Sequence, residues 1–250
     1  MISFALIFLV SVIVFIFAIF KKDNSIADIC YSYGFMAAAT SSLFLNENVN
    51  KEKVILTTLV LIWGIRLSYR IYQKNKGKPE DFRYAAWREL WMKSGHIYFY
   101  IRSLLQVFLL QAAIAAIIIS PVILFTDGTE YFYIGVAVWV FGFIFEAVGD
   151  YQLDSFIKSK VGGIMTSGLW RYTRHPNYFG EATMWWGIFI ATFTPDRWWL
   201  IISPLLITYL LRFVSGVPML EKRWDENPDE KLRKSWQEYK SKTNAMIPWF

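Results

Sequence analysis

The 250 residues are 55% hydrophobic and 19% aromatic but only 18% charged, with mean hydropathy +0.33, whereas soluble domains carry about a quarter charged residues. That balance excludes an ordinary soluble domain and points to an all-α, polytopic membrane helical bundle, one integral membrane domain over residues 1–250. The net charge of +6 reads as the positive-inside bias of cytoplasmic loops, not as a nucleic-acid surface; the single cysteine, Cys30, can form no internal disulfide, and no metal-ligand spacing is present.

Ile2 to Phe20 is almost unbroken apolar sequence and meets Lys21-Lys22. Basic residues that follow the apolar core, instead of preceding it, indicate an uncleaved first span and not a signal peptide. Asp28 to Leu45 is a weaker second span, rich in Ala37, Ala38, Ala39, Ser41 and Ser42, small residues that let helices approach closely in lipid; Asn46-Glu47-Asn48 ends it. Val54 to Ile71 is the third span, with Arg66 and Arg70 on one face of its end. Lys74 to Gly95 is a polar loop, six cations against three acids, with a turn at Gly77 and Pro79. Arg102 to Ile123 and Tyr131 to Val148 are the fourth and fifth spans. The fifth leads into Glu146, Asp150 and Asp154, whose spacing of four puts them on one helical face. A carboxylate at Glu146, inside the membrane boundary, is costly and by default functional; cations to offset it could come from Lys158, Lys160, Arg171 or Arg174. Phe179 to Thr194 is a short sixth span and Trp198 to Val214 a seventh, interrupted by Pro204. Residues 227–250 form an amphipathic tail: Asn227 suits a cap, Pro228 the first helical position and Glu230 the third, and Leu232, Trp236 and Tyr239 share one side.

The cations set the topology. Lys21-Lys22, the Lys74–Lys93 loop, the Lys158–Arg174 loop and the tail lie on one side under a scheme of about seven spans, with the N-terminus outside and the C-terminus cytoplasmic. The second and sixth spans are the weakest in that scheme.

One stretch stands apart. Gly168 to Glu181 (GLWRYTRHPNYFGE) packs two arginines, one of the two histidines, an asparagine and a glutamate into fourteen residues at the mouth of the sixth span. Pro176 suits the first turn of a helix, after which Asn177, Glu181 and Trp185 share a face. Together with the Asn75–Arg83 loop, the Glu146 face and the Arg212–Glu221 segment, it gathers cations and carboxamides on the cytoplasmic side, which suits an anionic, hydrogen-bonding ligand such as a nucleotide cofactor or an adenosyl donor. The apolar interior suits a lipid-like co-substrate arriving from the bilayer.

The Gly168–Glu181 stretch, with Trp63–Leu67, Glu146 and Asp150-Tyr151-Gln152-Leu153, Ser215–Glu221 and the ending from Tyr239 to Pro248, resembles the bacterial steroid 5α-reductase-like membrane proteins over nearly the whole chain. The resemblance implies a seven-helix reductase of the bacterial inner membrane that uses NADPH to reduce the carbon–carbon double bond of a lipid-like or steroid-like enone. It implies cofactor contacts at Asn177 and Glu181 around the nicotinamide, at Asn75, Lys76 and Lys78 near the phosphates, and at Glu146, Asp150, Arg171, Arg174, His175, Glu221 and Tyr239. Glu181, Tyr178 and Tyr172 are the catalytic candidates, the two tyrosines by proximity. Lysines replace the arginines of the family's phosphate loop, and Glu146 and Asp154 stand where the steroid enzymes have asparagine and arginine. Arg171-Tyr172-Thr173-Arg174-His175-Pro176-Asn177-Tyr178 also resembles the signature of isoprenylcysteine and phospholipid methyltransferases, with Glu181 and Glu221 as the paired carboxylates; that reading implies S-adenosylmethionine. A third reading is a lipid-binding or structural membrane protein whose polar clusters only brace helices.

Overall fold

A computed structural model describes residues 1–45 and 49–249. The Asn46-Glu47-Asn48 turn expected after the second span therefore lies outside the described residues. The described residues fold as helices joined by short turns, in two compact units, Met1–Asp127 and Gly128–Phe250. Among them, five helical stretches are long and apolar enough to cross a membrane: Ile2–Lys21, Lys51–Asn75, His96–Leu124, Phe132–Ser159 and Pro195–Asp225. The expected second and sixth spans form helices that fall short of this mark.

The first unit contains α1 (Ile2–Lys21), α2 (Ile26–Phe44), α3 (Lys51–Asn75), α4 (Phe82–Met92), α5 (His96–Ser103) and α6 (Leu110–Leu124), with a π-helical stretch, Leu104–Leu109, joining the last two. The small residues of α2 act as expected. Ala38 and Ala39 are fully buried, the Ser32 hydroxyl donates to the Gly64 carbonyl at 2.9 Å, and Ser68 donates to the Ile29 carbonyl at 2.8 Å. Lys53 is buried: Asn50 caps α3, and the Lys53 ammonium donates to the carbonyls of Val122, Ile123 and Phe125 at 2.5, 3.3 and 3.3 Å. It thereby satisfies the last carbonyls of α6, the end of a helix where a cation is favoured.

The Lys74–Gly95 segment is not one polar loop. The Asp81 carboxylate caps α4 by accepting from the Arg83 N–H at 3.1 Å, and Tyr84, Trp87 and Trp91 form its aromatic face. Two of the six cations are consumed internally: Arg83 pairs with Asp28 at 2.6 Å and Asp81 at 2.8 Å, and Arg88 grips Glu80 with two hydrogen bonds of 2.7 and 2.9 Å. The turn before α4 is as expected. Lys78 N–H donates to the Asn75 carbonyl at 3.0 Å, and Gly77 supplies φ +74° at the position where a type II turn demands the left-handed region.

In the second unit, α7 (Phe132–Ser159) runs about three turns past the expected end of its span, so Glu146, Asp150 and Asp154 lie on one unbroken helix. It packs along α8 (Pro176–Thr192). The seam is built from glycines spaced by seven: Gly135, Gly142 and Gly149 on α7, Gly180 and Gly187 on α8. A Cβ at Gly135 would sit 2.2 Å from the Ala191 nitrogen, one at Gly142 2.7 Å from the Gly180 carbonyl oxygen, and one at Gly180 2.5 Å from the Glu146 nitrogen. Backbone meets backbone, as in close-packed helix pairs generally. The chain continues through a 3₁₀ stretch, Pro195–Ile201, to α9 (Ile202–Tyr209), a π-helical turn (Leu210–Val214), α10 (Val217–Asp225) and α11 (Glu230–Lys242). The tail helix starts two residues later than its sequence signals suggest. Asp229, not Asn227, is the cap, accepting from Lys231 and Leu232 N–H at 2.9 and 3.1 Å, while Asn227 accepts from Asp229 N–H at 3.0 Å in the turn before it. Pro228 thus precedes the helix, and the expected inward face holds, with Trp236 and Tyr239 buried.

Candidate functional site

The polar stretch before α8 is held from both sides. Gly168 has φ +63°, and a Cβ there would sit 2.6 Å from the Gln152 amide; Gln152 in turn accepts from Leu169 N–H at 2.9 Å. Trp170 donates its indole N–H to the Gly149 carbonyl at 3.0 Å, anchoring the stretch to the α7 seam. From the other side the C-terminal tail is stitched on. The Thr173 hydroxyl lies within hydrogen-bond reach of the Ala245 and Met246 carbonyls at 3.2 and 2.9 Å, Arg174 N–H donates to the Asn244 carbonyl at 2.9 Å, and Trp249 N–H donates to the Tyr172 carbonyl at 3.1 Å. Tyr239 donates its hydroxyl to the Trp170 carbonyl, and burial pushes its pKa well above the ordinary phenol value.

At the centre lies Glu221 on α10. Arg174 reaches its Oε1 with Nε and Nη2, both at 2.8 Å, His175 Nε2 lies 3.2 Å from the same oxygen, and Lys240 Nζ lies 3.4 Å from Oε2. Arg174 and Glu221 are both buried. The remaining donor of Arg174, Nη1, bonds the carbonyls of Lys240 and Thr243. Arg174 is thus fully engaged inside the chain, as a tie between the α8 mouth, α10 and the tail. Lys240 also pairs with Asp225 at 2.8 Å, and Trp236 donates to the same carboxylate at 2.8 Å. His175 stacks on Tyr178 with ring centroids 5.4 Å apart and planes inclined by 15°. Burial depresses its pKa. The hydrogen bond and charge of Glu221 oppose that, and the positive charges of Arg174 and Arg212 reinforce it. The imidazole is therefore neutral near pH 7, with Nε2–H donating to Glu221.

The other expected site residues fall into distinct places. Glu146 and Asp150 are buried on α7, 2% and 4% exposed, a burial that a carboxylate tolerates only where it is engaged. Asn177 and Glu181 are half-buried on α8, one turn apart, on the face that carries the buried Trp185. The Asn177 Oδ1 atom is sealed from solvent and has no hydrogen-bond partner among the described residues. Tyr172 and Tyr178 are half-buried and Arg171 is exposed. Asn75, Lys76 and Lys78 form the α3–α4 turn of the first unit, with both lysines exposed. Thr173, Asp225 and Lys240 have no individual role in the sequence pattern, and Arg212 enters it only as the start of the Arg212–Glu221 segment. The first three are ordinary surface residue types until the tail folds back, so no local pattern marks them. Arg212 carried a signal, a lone cation inside the apolar run of the seventh span.

The first unit also contains an apolar recess between α1, α2 and α6, lined by Ile7, Val10, Val14, Tyr31, Phe108 and Gln111 among others. Gln111 hydrogen-bonds the Tyr84 hydroxyl at 3.4 Å.

The model of a family described as "Protein of unknown function (DUF1295)" matches residues 14–243. An uncharacterized protein of Schizosaccharomyces pombe is 24% identical to the chain, in an alignment covering 56% of this chain and 48% of that protein; the chain thus spans about half the length of this curated relative. No solved structure matches.

Proposed function

The chain belongs to the DUF1295 family, whose model covers residues 14–243, and from that premise we propose that it is a membrane-embedded, NADPH-dependent reductase of a carbon–carbon double bond in a lipid-like enone. The observation that carries this reading is Asn177. A buried carboxamide oxygen with no donor costs on the order of 1–3 kcal/mol, a cost removed when a ligand supplies an N–H. The nicotinamide carboxamide is such a donor, and the resemblance to steroid 5α-reductases assigns Asn177 to that group. Glu181, one turn further on the same face, would hold the other side of a flat ring.

NADPH, when bound, supplies a hydride to the β-carbon of the enone, and a proton at the α-carbon completes the saturated ketone. The chain's own part is to orient the ring through Asn177 and Glu181 and to keep water from it with the apolar helix pair around Phe145 and Phe179, whose rings lie 5.0 Å apart. A proton would come from a tyrosine hydroxyl, Tyr178 or Tyr172. In this reading the bundle has seven spans, counting α2 and α8, with the N-terminus outside and the C-terminus cytoplasmic in a bacterial inner membrane.

The methyltransferase reading leans on Arg174, His175 and Glu221, and these are occupied with one another, which weakens it. Titration of the purified protein decides between them. Energy transfer from its tryptophans to added NADPH is the expected result; saturable binding of S-adenosylmethionine with no response to NADPH replaces the reductase by the methyltransferase, and no response to either favours a structural role.

A further inference from the structure

Arg212 lies inside a candidate membrane span, Pro195–Asp225, where an arginine is expensive and usually has a task. Its surroundings are built to aim it. The π-helical turn Leu210–Val214 closes with Ser215 N–H donating to the Leu210 carbonyl at 2.8 Å, and such turns recur at functional sites because they rotate a side chain out of the helical register. Gly216 is required directly after it, since a Cβ there would sit 2.3 Å from the Leu211 carbonyl oxygen. The following residues, Phe213 and Val214, are exposed, whereas Arg212 is half-buried.

The helix pair sets what Arg212 faces. Trp186 of α8 donates to the Thr208 hydroxyl of α9 at 3.2 Å. The chain returns along α8, so one turn beyond Thr208 brings Arg212 toward the α8 face that carries Ala182, Tyr178 and His175. Its charge is felt at His175.

Its partners then single it out. Arg174 and Lys240 are matched by Glu221 and Asp225 through the ion pairs described above, and His175 is neutral. Among the described residues Arg212 has no ion pair and no hydrogen bond; its guanidinium lies only over the Phe213 ring, 5.0 Å from the centroid. Its planar fork is unspent, the geometry that suits a phosphoryl group held by two parallel N–H bonds.

We propose that Arg212 is a phosphoryl-binding residue of the second unit, anchoring a phosphate of the dinucleotide cofactor beside the His175–Tyr178 pair. The assignment rests on the reductase reading. It gives a phosphate contact to a residue that the sequence motifs leave out, and it accounts for Arg174, the nearest arginine of the signature, being closed to ligands. A phosphoryl group could also come from a lipid headgroup, so the experiment separates the two sources. Wild type, Arg212→Gln and Arg212→Lys are reconstituted in nanodiscs of phosphatidylcholine and, separately, of phosphatidylglycerol, with thermal midpoints as the check on folding. NADPH and inorganic pyrophosphate are titrated by tryptophan fluorescence. The expected result is that Arg212→Gln raises the Kd of both ligands by about tenfold or more in both lipids, a loss of about 1.4 kcal/mol or more, with Arg212→Lys in between because a point charge replaces the fork. Unchanged affinities in a folded Arg212→Gln overturn the proposal and leave the reductase reading standing. Pyrophosphate binding that depends on Arg212 without any NADPH binding keeps the anchor and removes the reductase reading. Stabilisation by phosphatidylglycerol that depends on Arg212, with no soluble ligand bound, makes Arg212 a headgroup contact and overturns the cofactor assignment.

Discussion

Gly180→Ala is the sharpest mechanical test of how the candidate site is carried. The added methyl would lie 2.5 Å from the Glu146 nitrogen, 2.6 Å from the Gly142 carbonyl oxygen and 2.7 Å from the Glu146 Cβ. None of these atoms belongs to a flexible side-chain end, so relief requires the two helices to part. Optimal contact between such atoms is about 3.5 Å or more, so α7 and α8 must separate by about 1 Å locally. A gap of that size forfeits roughly a quarter to a half of each contact across the seam, and each contact contributes about 0.1–0.2 kcal/mol. Some tens of atom pairs then sum to about 2 kcal/mol, within the range for overpacked cores. A thermal midpoint lowered by roughly 4–8 °C is expected for a chain of this length, read by tryptophan fluorescence in detergent. The same separation displaces Glu146 and Asp150 from Asn177 and Glu181, so NADPH affinity should fall with it. A Gly180→Ala protein with the wild-type midpoint and wild-type ligand binding would refute the backbone-contact argument.

Four further outcomes are expected. Glu221→Gln strands Arg174 in a buried position and should cost about 3–5 kcal/mol, with faster tryptic release of the tail; the double change Arg174→Met, Glu221→Met should recover most of that loss, and equal sensitivity of single and double variants would contradict the tie. Stability should fall as pH drops below about 6.5, because unfolded His175 takes up a proton near its ordinary value while burial holds the folded imidazole neutral to lower pH; His175→Gln should flatten that part of the unfolding profile, and an unchanged slope would count against it. Thr173→Val leaves the Ala245 and Met246 carbonyls without their shared donor and should cost about 1–3 kcal/mol, seen as faster hydrogen exchange over residues 243–249. Lys53→Met leaves the α6 carbonyls unmet and should lower the first unit's stability by a similar 1–3 kcal/mol, whereas no change would mean that this cap is not needed.

Much of the architecture was legible from the chain alone because lipid-facing helices announce themselves by length and apolarity. The two segments that the sequence marked as weakest, α2 and α8, are the two that fall short on that measure. Their polar residues and length are the physical reason: α2 carries Asp28 and several serines and tyrosines, and α8 has only 17 residues and carries Asn177 and Glu181. α4 was hidden because its aromatic face is interleaved with Arg83, Arg88 and Glu80, which pair only once the segment folds against Asn24 and Asp28. The site was partly legible. Pro176 at the start of α8 and the shared face of Asn177 and Glu181 follow from spacing. The roles of Arg174 and His175 do not, since their partner, Glu221, lies more than forty residues away along the chain and their residue types fit a ligand and an internal tie equally well.

The central claim rests on the buried acceptor of Asn177. Its most direct test is a tryptophan-to-nicotinamide energy-transfer titration of NADPH into wild type, Asn177→Ala and Glu181→Gln, each checked for an intact thermal transition. The account predicts saturable binding by the wild type and at least about a tenfold weaker response in both variants, the worth of one well-made buried hydrogen bond. Full-strength NADPH binding by a folded Asn177→Ala protein would contradict it.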